Sequence, residues 1–300
     1  MATIDTLRPL EWDDYIGQAT MKERLSIHIN SALLRDSALD HILLTGPPGC
    51  GKTTMAQIIA NSYGVDFTSF IMPIKEKVLV TYLRLTEQGV VLLDEIHRLS
   101  TKQQESYLSL LEDGYLQLDN GDRVEAGDVT IIGATTEPEK VIAPLYDRFA
   151  IKPPFDEYSD EEMRDIVLRM AAAVETEMTY EAAHVLGRAS GGIPRNAKSL
   201  VFMARDLATM GYGLDVAEIL QKCRVDEDGF SEDHRRYCQV LAETGGIAGL
   251  EILSAHLRLP KPTLIELERL LLKREVLQYT KQGRELVGKG WAIAKSIESD

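Results

Sequence analysis

The chain has no apolar run approaching the ~18 residues that a membrane span requires, and its charge excess is not positive: the formal net charge is −14. The first absence excludes a helical membrane protein. The second argues at first against nucleic acid as a partner, although a whole-chain charge is a poor guide where charge is segregated. Cysteine is scarce. Cys50, Cys223 and Cys238 are odd in number and lack metal-ligand spacing, which fits free thiols in a reducing cytoplasm rather than a disulfide framework. Residues 1–10 lack a basic end followed by an apolar stretch, so no secretory signal is expected. Apolar residues still make up 44% of the 300 positions, ample for packed cores, and the length suggests two or three domains.

The most informative stretch is Gly46-Pro47-Pro48-Gly49-Cys50-Gly51-Lys52-Thr53-Thr54. It follows the apolar run Ile42-Leu43-Leu44 and precedes Met55-Ala56-Gln57-Ile58-Ile59-Ala60, which reads as buried strand, glycine-rich turn, then helix. That order is the phosphate-cradling loop of nucleotide hydrolases. Glycines let backbone N–H groups converge on phosphate oxygens with no Cβ in the way. The helix opening near Lys52 offers unpaired N–H groups and the positive end of its dipole. Lys52 is expected to reach the outer phosphates and Thr53 to hold a magnesium ion. A glycine-rich turn with a chance lysine is the bland alternative, disfavoured by the flanking strand and helix. Cys50 within the loop reads as a small filler residue in preference to a redox centre.

A second apolar run, Val90-Val91-Leu92-Leu93, ends in Asp94-Glu95. Four apolar residues in a row suggest a strand covered on both faces, as in a parallel sheet. Carboxylates at the C-terminal edge of such a strand stand where open α/β sheets bind ligands. Asp94 is expected to hold the magnesium shell and Glu95 to orient or deprotonate an attacking water. A third run at residues 129–132 leads into Gly133-Ala134-Thr135-Thr136, where a hydroxyl could contact the γ-phosphate or the water; structural capping by either threonine is the alternative.

Elsewhere, helices are expected at residues 21–34 and 100–112, the latter capped by Ser100, and a hairpin at residues 115–124 around Asn120-Gly121. Tyr15-Ile16 could wall an adenine or simply pack in the core. Pro153-Pro154 breaks the chain. Helical patterns follow at residues 159–174 and 180–190 and from Arg195 to Leu207, and Asp226-Glu227-Asp228-Gly229 reads as an acidic, solvated linker. The last segment has helical stretches at residues 233–242, 249–257 and 263–273, a strand at 276–279 and a turn at 281–284, together a winged-helix pattern. From Arg258 onward Lys261, Arg269, Lys273, Arg274, Lys281, Arg284, Lys289 and Lys295 outweigh Glu266, Glu268, Glu275 and Glu285. This basic tail could neutralise DNA phosphates or be a solvated face of alternating charge.

Taken together, the Arg8-Pro9 pair, D-D-Y-I-G-Q, the phosphate loop, L-L-D-E-I-H-R-L-S, I-I-G-A-T-T, D-R-F and G-I-P-R resemble the AAA+ ATPases, and among them the RuvB family of Holliday-junction branch-migration motors. The resemblance implies an α/β fold with an AAA+ P-loop core (residues 1–156), a small all-helical lid (157–227) and a C-terminal winged-helix domain (228–300). It implies ATP and Mg²⁺ as cofactors, DNA as substrate, a hexameric ring and a cytoplasmic location. Arg8, Tyr15 and Ile16 would border the adenine, while Gly49, Gly51, Lys52, Thr53 and Thr54 bind phosphates. Asp94 and Glu95 would be the magnesium and water residues, Thr136 sensor 1, Tyr158 a lid contact to nucleotide and Arg195 the sensor-2 arginine. Arg148 matches a finger that reaches into a neighbouring subunit's site, and Arg284, Lys281 and Tyr279 fall on the DNA-contacting wing. The family docks on its partner RuvA through a longer, more apolar hairpin. Here residues 115–127 are short and polar, Tyr279 stands where arginine is common, and Glu137 follows the threonine pair where arginine is usual. An ATP-gated loader that does not translocate, motivated by that hairpin, and a polypeptide remodeller are the competing functions.

Overall fold

The computed structural model describes residues 7–118 and 121–296. The chain folds into two compact units, Met1–Tyr158 and Ser159–Asp300. The first break thus follows Tyr158, and the lid and wing stretches lie in one unit.

The first unit is built on a parallel sheet of order β1-β6-β3-β2, comprising β1 (Ile42–Thr45), β2 (Phe67–Ile71), β3 (Gln88–Asp94) and β6 (Asp128–Thr135). Ile151 and Pro154 add isolated parallel bridges to β1 on its outer edge. Side chains alternate across the pleat. Ile42, Leu44, Val90, Leu92, Ile132 and Ala134 pack with helices α1 (Ala19–Arg35) and α2 (Lys52–Tyr63). Leu43, Val91, Leu93 and Ile131 face α3 (Glu76–Leu85), α4 (Thr101–Glu112) and α5 (Ala143–Arg148). Both faces are therefore covered, which explains the unbroken apolar runs. Gly133 is required on the second face: a Cβ there would lie 2.8 Å from the Phe149 ring.

The hairpin forms from β4 (Tyr115–Gln117) and β5 (Arg123–Glu125); Asn120, expected in its turn, lies outside the described residues. Ser100 caps α4 in a reciprocal capping box with Gln103. Two elements escape the periodicity reading. Strand β2 is half-exposed at the sheet edge, and α3 carries only a narrow buried stripe of Leu79, Val80 and Leu83.

The second unit opens with four helices, α6 (Asp160–Ala173), α7 (Tyr180–Ala189), α8 (Pro194–Thr209) and α9 (Val216–Cys223). Helices α6 and α7 touch backbone to backbone at Gly187, where a Cβ would lie 2.6 Å from the Arg164 nitrogen. A winged-helix arrangement follows: α10 (Glu232–Glu243), β7 (Ile247–Ala248), α11 (Leu250–Leu257), α12 (Lys261–Lys273), β8 (Leu277–Thr280) and β9 (Gly283–Leu286). The strands pair antiparallel in the order β7-β9-β8. Helix α9, strand β7 and a last helix, α13 (Gly290–Ser296), are additions to the sequence expectation.

The acidic stretch 226–229 is not a solvated linker. Asp226 Oδ1 accepts the backbone N–H groups of Asp228 and Phe230 at 3.0 and 2.9 Å, which folds it into a tight side-chain-capped turn. Asp228 accepts from Arg188 Nε at 2.9 Å, and Asp160 accepts from Arg274 Nη1 at 3.0 Å and Arg188 Nη1 at 3.2 Å. Burial alone would raise the Asp160 carboxyl, but the Arg274 and Arg188 guanidinium groups outweigh it and hold it below the usual carboxylate range. Arg274, only 9% exposed in its side chain, is therefore removed from the basic tail that could face DNA.

Each unit also holds a half-buried, neutral histidine. His41 Nδ1 accepts the Ile131 N–H at 3.0 Å, and His234 Nδ1 accepts the Ser231 N–H at 3.1 Å. Burial pushes both rings down to about 4 from the ordinary 6.5. A folded-state value below the unfolded one means that the unfolded chain binds the proton more readily. The stability carried by each neutral ring is full above pH 6.5 and is lost progressively as pH falls towards 4. At pH 5 the expected loss is about 2 kcal/mol for each ring. Chemical denaturation at pH 7 and pH 5 checks this; equal stability at the two pH values contradicts it.

Candidate active site and wing surface

The glycine-rich loop, Asp94, Glu95 and Thr136 meet at the C-terminal edge of the sheet. Strand β1 ends at Thr45, the glycine-rich loop turns, and α2 begins at Lys52. Gly49 and Gly51 hold positive φ angles of 80° and 111°, conformations that side chains resist. At Gly51 a Cβ would also meet Tyr15 Oη at 2.6 Å. Lys52 is buried, and its Nζ donates to the carbonyls of Gly46 at 2.8 Å and Pro47 at 3.0 Å. The ammonium group thus lies against the loop itself, curled around by six residues of backbone.

Strand β3 delivers Asp94 and Glu95 beside this loop. Thr53 Oγ1 donates to Asp94 Oδ2 at 3.5 Å. Asp94 Oδ1 accepts the Glu95 N–H at 3.0 Å, and Glu95 adopts φ 56°, ψ 44°. A non-glycine residue in the left-handed region costs energy and tends to mark a functional constraint. The kink turns the Glu95 side chain towards the neighbouring strand β6, where Thr136 Oγ1 donates to Glu95 Oε2 at 3.4 Å. Thr53, Asp94, Glu95 and Thr136 are thus linked by hydrogen bonds, with Lys52 beside Thr53 at the start of α2.

Sequence reasoning assigned no role to His97, which joins this cluster. Its Nδ1 lies 3.0 Å from Thr135 Oγ1 and 3.3 Å from Glu95 Oε2, and its Nε2 lies 3.1 Å from Glu137 Oε1. A hydrogen bond from Lys140 holds the Glu137 carboxyl below the usual carboxylate range, with His97 and Arg98 contributing. Its position in D-E-I-H, three residues past Asp94, was the available signal, but only the left-handed turn at Glu95 brings the ring back to the carboxylate.

The remaining residues are distributed. Tyr15 and Tyr158 are buried, their hydroxyls 3.1 Å apart, and Tyr158 Oη donates to the Cys50 carbonyl in the loop at 3.2 Å. Burial, with Tyr158 alongside, raises the Tyr15 phenol well above its ordinary value. Ile16 is half-buried, Thr54 is half-buried on the first turn of α2, and Arg8 is exposed. Arg148 stands at the end of α5, where its Nε donates to Glu112 Oε2 at 2.8 Å. Arg195, in the second unit, is exposed on the first turn of α8.

On the wing, Lys281 and Tyr279 are exposed. Arg284 differs from the expectation of a solvent-facing DNA contact. Its Nε donates to Glu268 Oε1 at 2.9 Å and its Nη2 to Glu268 Oε2 at 3.3 Å. Glu268 is fully buried, and it also accepts the hydroxyls of Tyr237 at 2.7 Å and Tyr279 at 2.6 Å. Four donors satisfy one carboxylate, the condition under which a buried charge is tolerated. Burial first and the Glu268 hydrogen bond second push the Tyr279 phenol up to about 12. Tyr279 thus supplies part of the carboxylate's hydrogen-bonding shell.

Known proteins match the chain along most of its length. Residues 7–154 match the model of the Holliday junction DNA helicase RuvB P-loop domain, and residues 227–295 match the RuvB C-terminal winged helix domain. The chain is 37% identical to the Holliday junction branch migration complex subunit RuvB of Kosmotoga olearia, covering 95% of this chain and 89% of that protein. It superposes on the Thermotoga maritima RuvB Holliday junction branch migration motor with a TM-score of 0.85 and 32% identity, over 98% of this chain and 99% of that one. A point mutant of the T. maritima protein gives a TM-score of 0.86 at 32% identity, over 96% and 98% of the two chains. With a phosphate loop, an Asp-Glu strand end and a winged helix arranged as in these relatives along almost its whole length, the chain belongs to the RuvB family of AAA+ ATPases.

Proposed function

We propose that this protein is an ATP-driven DNA motor that migrates the branch point of Holliday junctions in recombination and repair. The observation that carries this reading is the cluster of Lys52, Thr53, Asp94, Glu95 and Thr136 on one sheet edge, in a chain that also holds a winged helix. Lys52 would grip the outer phosphates and the loop N–H groups at Gly49, Gly51, Thr53 and Thr54 would surround them. Thr53 and Asp94 present hard oxygen donors to one point, which fits Mg²⁺. Held there, magnesium would supply positive charge to the phosphate oxygens. Glu95 would orient or deprotonate the attacking water, and Thr136 would sense the γ-phosphate. Arg8, Tyr15, Ile16 and Tyr158 would border the rest of the nucleotide, with Arg195 as a second sensor.

We further infer that Arg148 acts on the site of an adjacent subunit in a hexameric ring. Its guanidinium is engaged by Glu112, and none of its described contacts is to the Asp94 cluster. The domain division into core (1–156), lid (157–227) and wing (228–300) belongs to the same reading, as do a cytoplasmic location and DNA contacts from Lys281 and Tyr279, with Arg284 held by Glu268. A RuvA-like partner would meet a hairpin whose strands expose Arg123 and Glu125; a contact there would be more polar than the family's.

Branch migration of a synthetic four-way junction, with and without RuvA, tests the proposal. Wild-type protein is expected to release ATP-dependent duplex products. ATP hydrolysis and junction binding with no product would instead identify a loader.

A further inference from the structure

His97 and Glu137 form a bridge between the ends of strands β3 and β6 that none of the roles above uses. We propose that His97, oriented by Glu137 and Thr135, is a positioning residue for the Glu95 carboxylate during hydrolysis. This rests on the reading of Glu95 as the residue that handles the attacking water.

The hydrogen-bond inventory is tight. Thr135 is fully buried, and its hydroxyl oxygen already accepts the Glu137 N–H at 3.0 Å. Glu137, acceptor-only as a carboxylate, faces His97 Nε2 at 3.1 Å and so keeps a proton on that nitrogen. That leaves Nδ1 to face two oxygens, Thr135 Oγ1 at 3.0 Å and Glu95 Oε2 at 3.3 Å. With the proton on Nε2 alone, Nδ1 accepts from Thr135 Oγ1; as the imidazolium it donates to Glu95 Oε2, and in both forms the ring lies between Thr135 and the carboxylate that Thr136 also touches. The His97 side chain is only 7% exposed, so the packed surroundings restrict its rotation. A carboxylate–imidazole–carboxylate chain of this kind holds the imidazole in one orientation, as the residues behind a metal-bound or catalytic histidine do.

Glu137 gives the arrangement its particular character in this chain. An arginine at position 137, as is usual in the family, has five N–H donors and no acceptor. It could not receive the Nε2–H. Here the acidic residue holds the proton on Nε2 by accepting it, whereas an arginine would make Nε2 the acceptor and move the proton to Nδ1, and Lys140 in turn bonds to the Glu137 carboxylate.

The test is steady-state ATPase kinetics with ATP binding measured in parallel on the full chain. His97→Ala is expected to lower kcat about 10- to 100-fold, the cost of a misplaced reacting group, with ATP affinity within about threefold of wild type. Glu137→Ala is expected to lower kcat in the same direction, while Glu137→Gln, which keeps an acceptor oxygen, is expected to restore most of it. If His97→Ala does not fold, the Glu137 series carries the test alone, because that side chain is 32% exposed. In a Glu95→Gln background, His97→Ala is expected to add nothing. Unchanged kcat in Glu137→Ala, or losses that appear equally in ATP affinity, would overturn the proposal. Full turnover by Glu95→Gln alone would overturn the underlying reading of Glu95; loss in Glu95→Gln with no loss in His97→Ala would overturn only the inference drawn here.

Discussion

Arg148→Ala is expected to lower ATP turnover by on the order of 10³-fold or more while leaving ATP binding nearly intact. A guanidinium supplied to the transferring phosphoryl group stabilises charge that develops in the transition state and is worth about 10³–10⁵ in rate in related nucleotide hydrolases. Several features fit this use. Arg148 ends α5, its side chain is 40% exposed, and its described partner is Glu112 on the surface. An exposed ion pair of that kind contributes at most about 1 kcal/mol, so the guanidinium can exchange Glu112 for a phosphate at little cost. Glu112→Ala is accordingly a useful control: it removes the pairing and should leave turnover close to wild type. An Arg148→Ala protein that hydrolyses ATP at the native rate would remove the arginine from the mechanism.

Lys52→Ala is expected to lose both binding and turnover, a different signature. The ammonium group is buried against the Gly46 and Pro47 carbonyls. Hydrogen bonds to charged groups contribute about 1.5–3 kcal/mol each, so losing one to a phosphate oxygen lowers ATP affinity by roughly 10- to 100-fold. Further loss is expected in the chemical step, where removing an electrostatic donor costs about 10²–10³ in rate. Equilibrium binding and single-turnover hydrolysis separate the two terms. Unaltered affinity would show that the lysine serves only to close the loop on itself.

Much of this molecule can be traced from its residue order because its central strands are buried on both faces. Ile42 to Leu44 and Val90 to Leu93 are uninterrupted apolar runs for that reason, and Val129 to Ile132 is broken only by the buried Thr130, whose hydroxyl donates to the Leu39 carbonyl; the chemistry-bearing residues follow each run at the edge where a parallel sheet presents its ligand site. Strand β2 carries no such run because it lies at the sheet edge, with Thr68 and Phe70 half-exposed or less buried than the central strands. Charge counting along the tail was misleading for a physical reason: Arg274 and Arg284 are consumed by Asp160 and Glu268, one in the joint of the second unit and one in the wing. The acidic stretch at 226–229 was likewise a set of acceptors for backbone and Arg188. His97 was the costliest omission. Its partners come from two strands, and a hydrogen bond that crosses from Ile96–Arg98 to Thr135 and Glu137 leaves no periodic trace in the chain.

The central claim is that one subunit grips the triphosphate while its neighbour completes the site, and mixing two inactive proteins tests it most directly. Lys52→Ala subunits retain Arg148, and Arg148→Ala subunits retain the phosphate grip. Combined in equal amounts and allowed to exchange, they are expected to regain ATP turnover well above the sum of the two separate proteins. A mixture that stays at that sum, although the two proteins assemble together, would contradict a site shared between subunits.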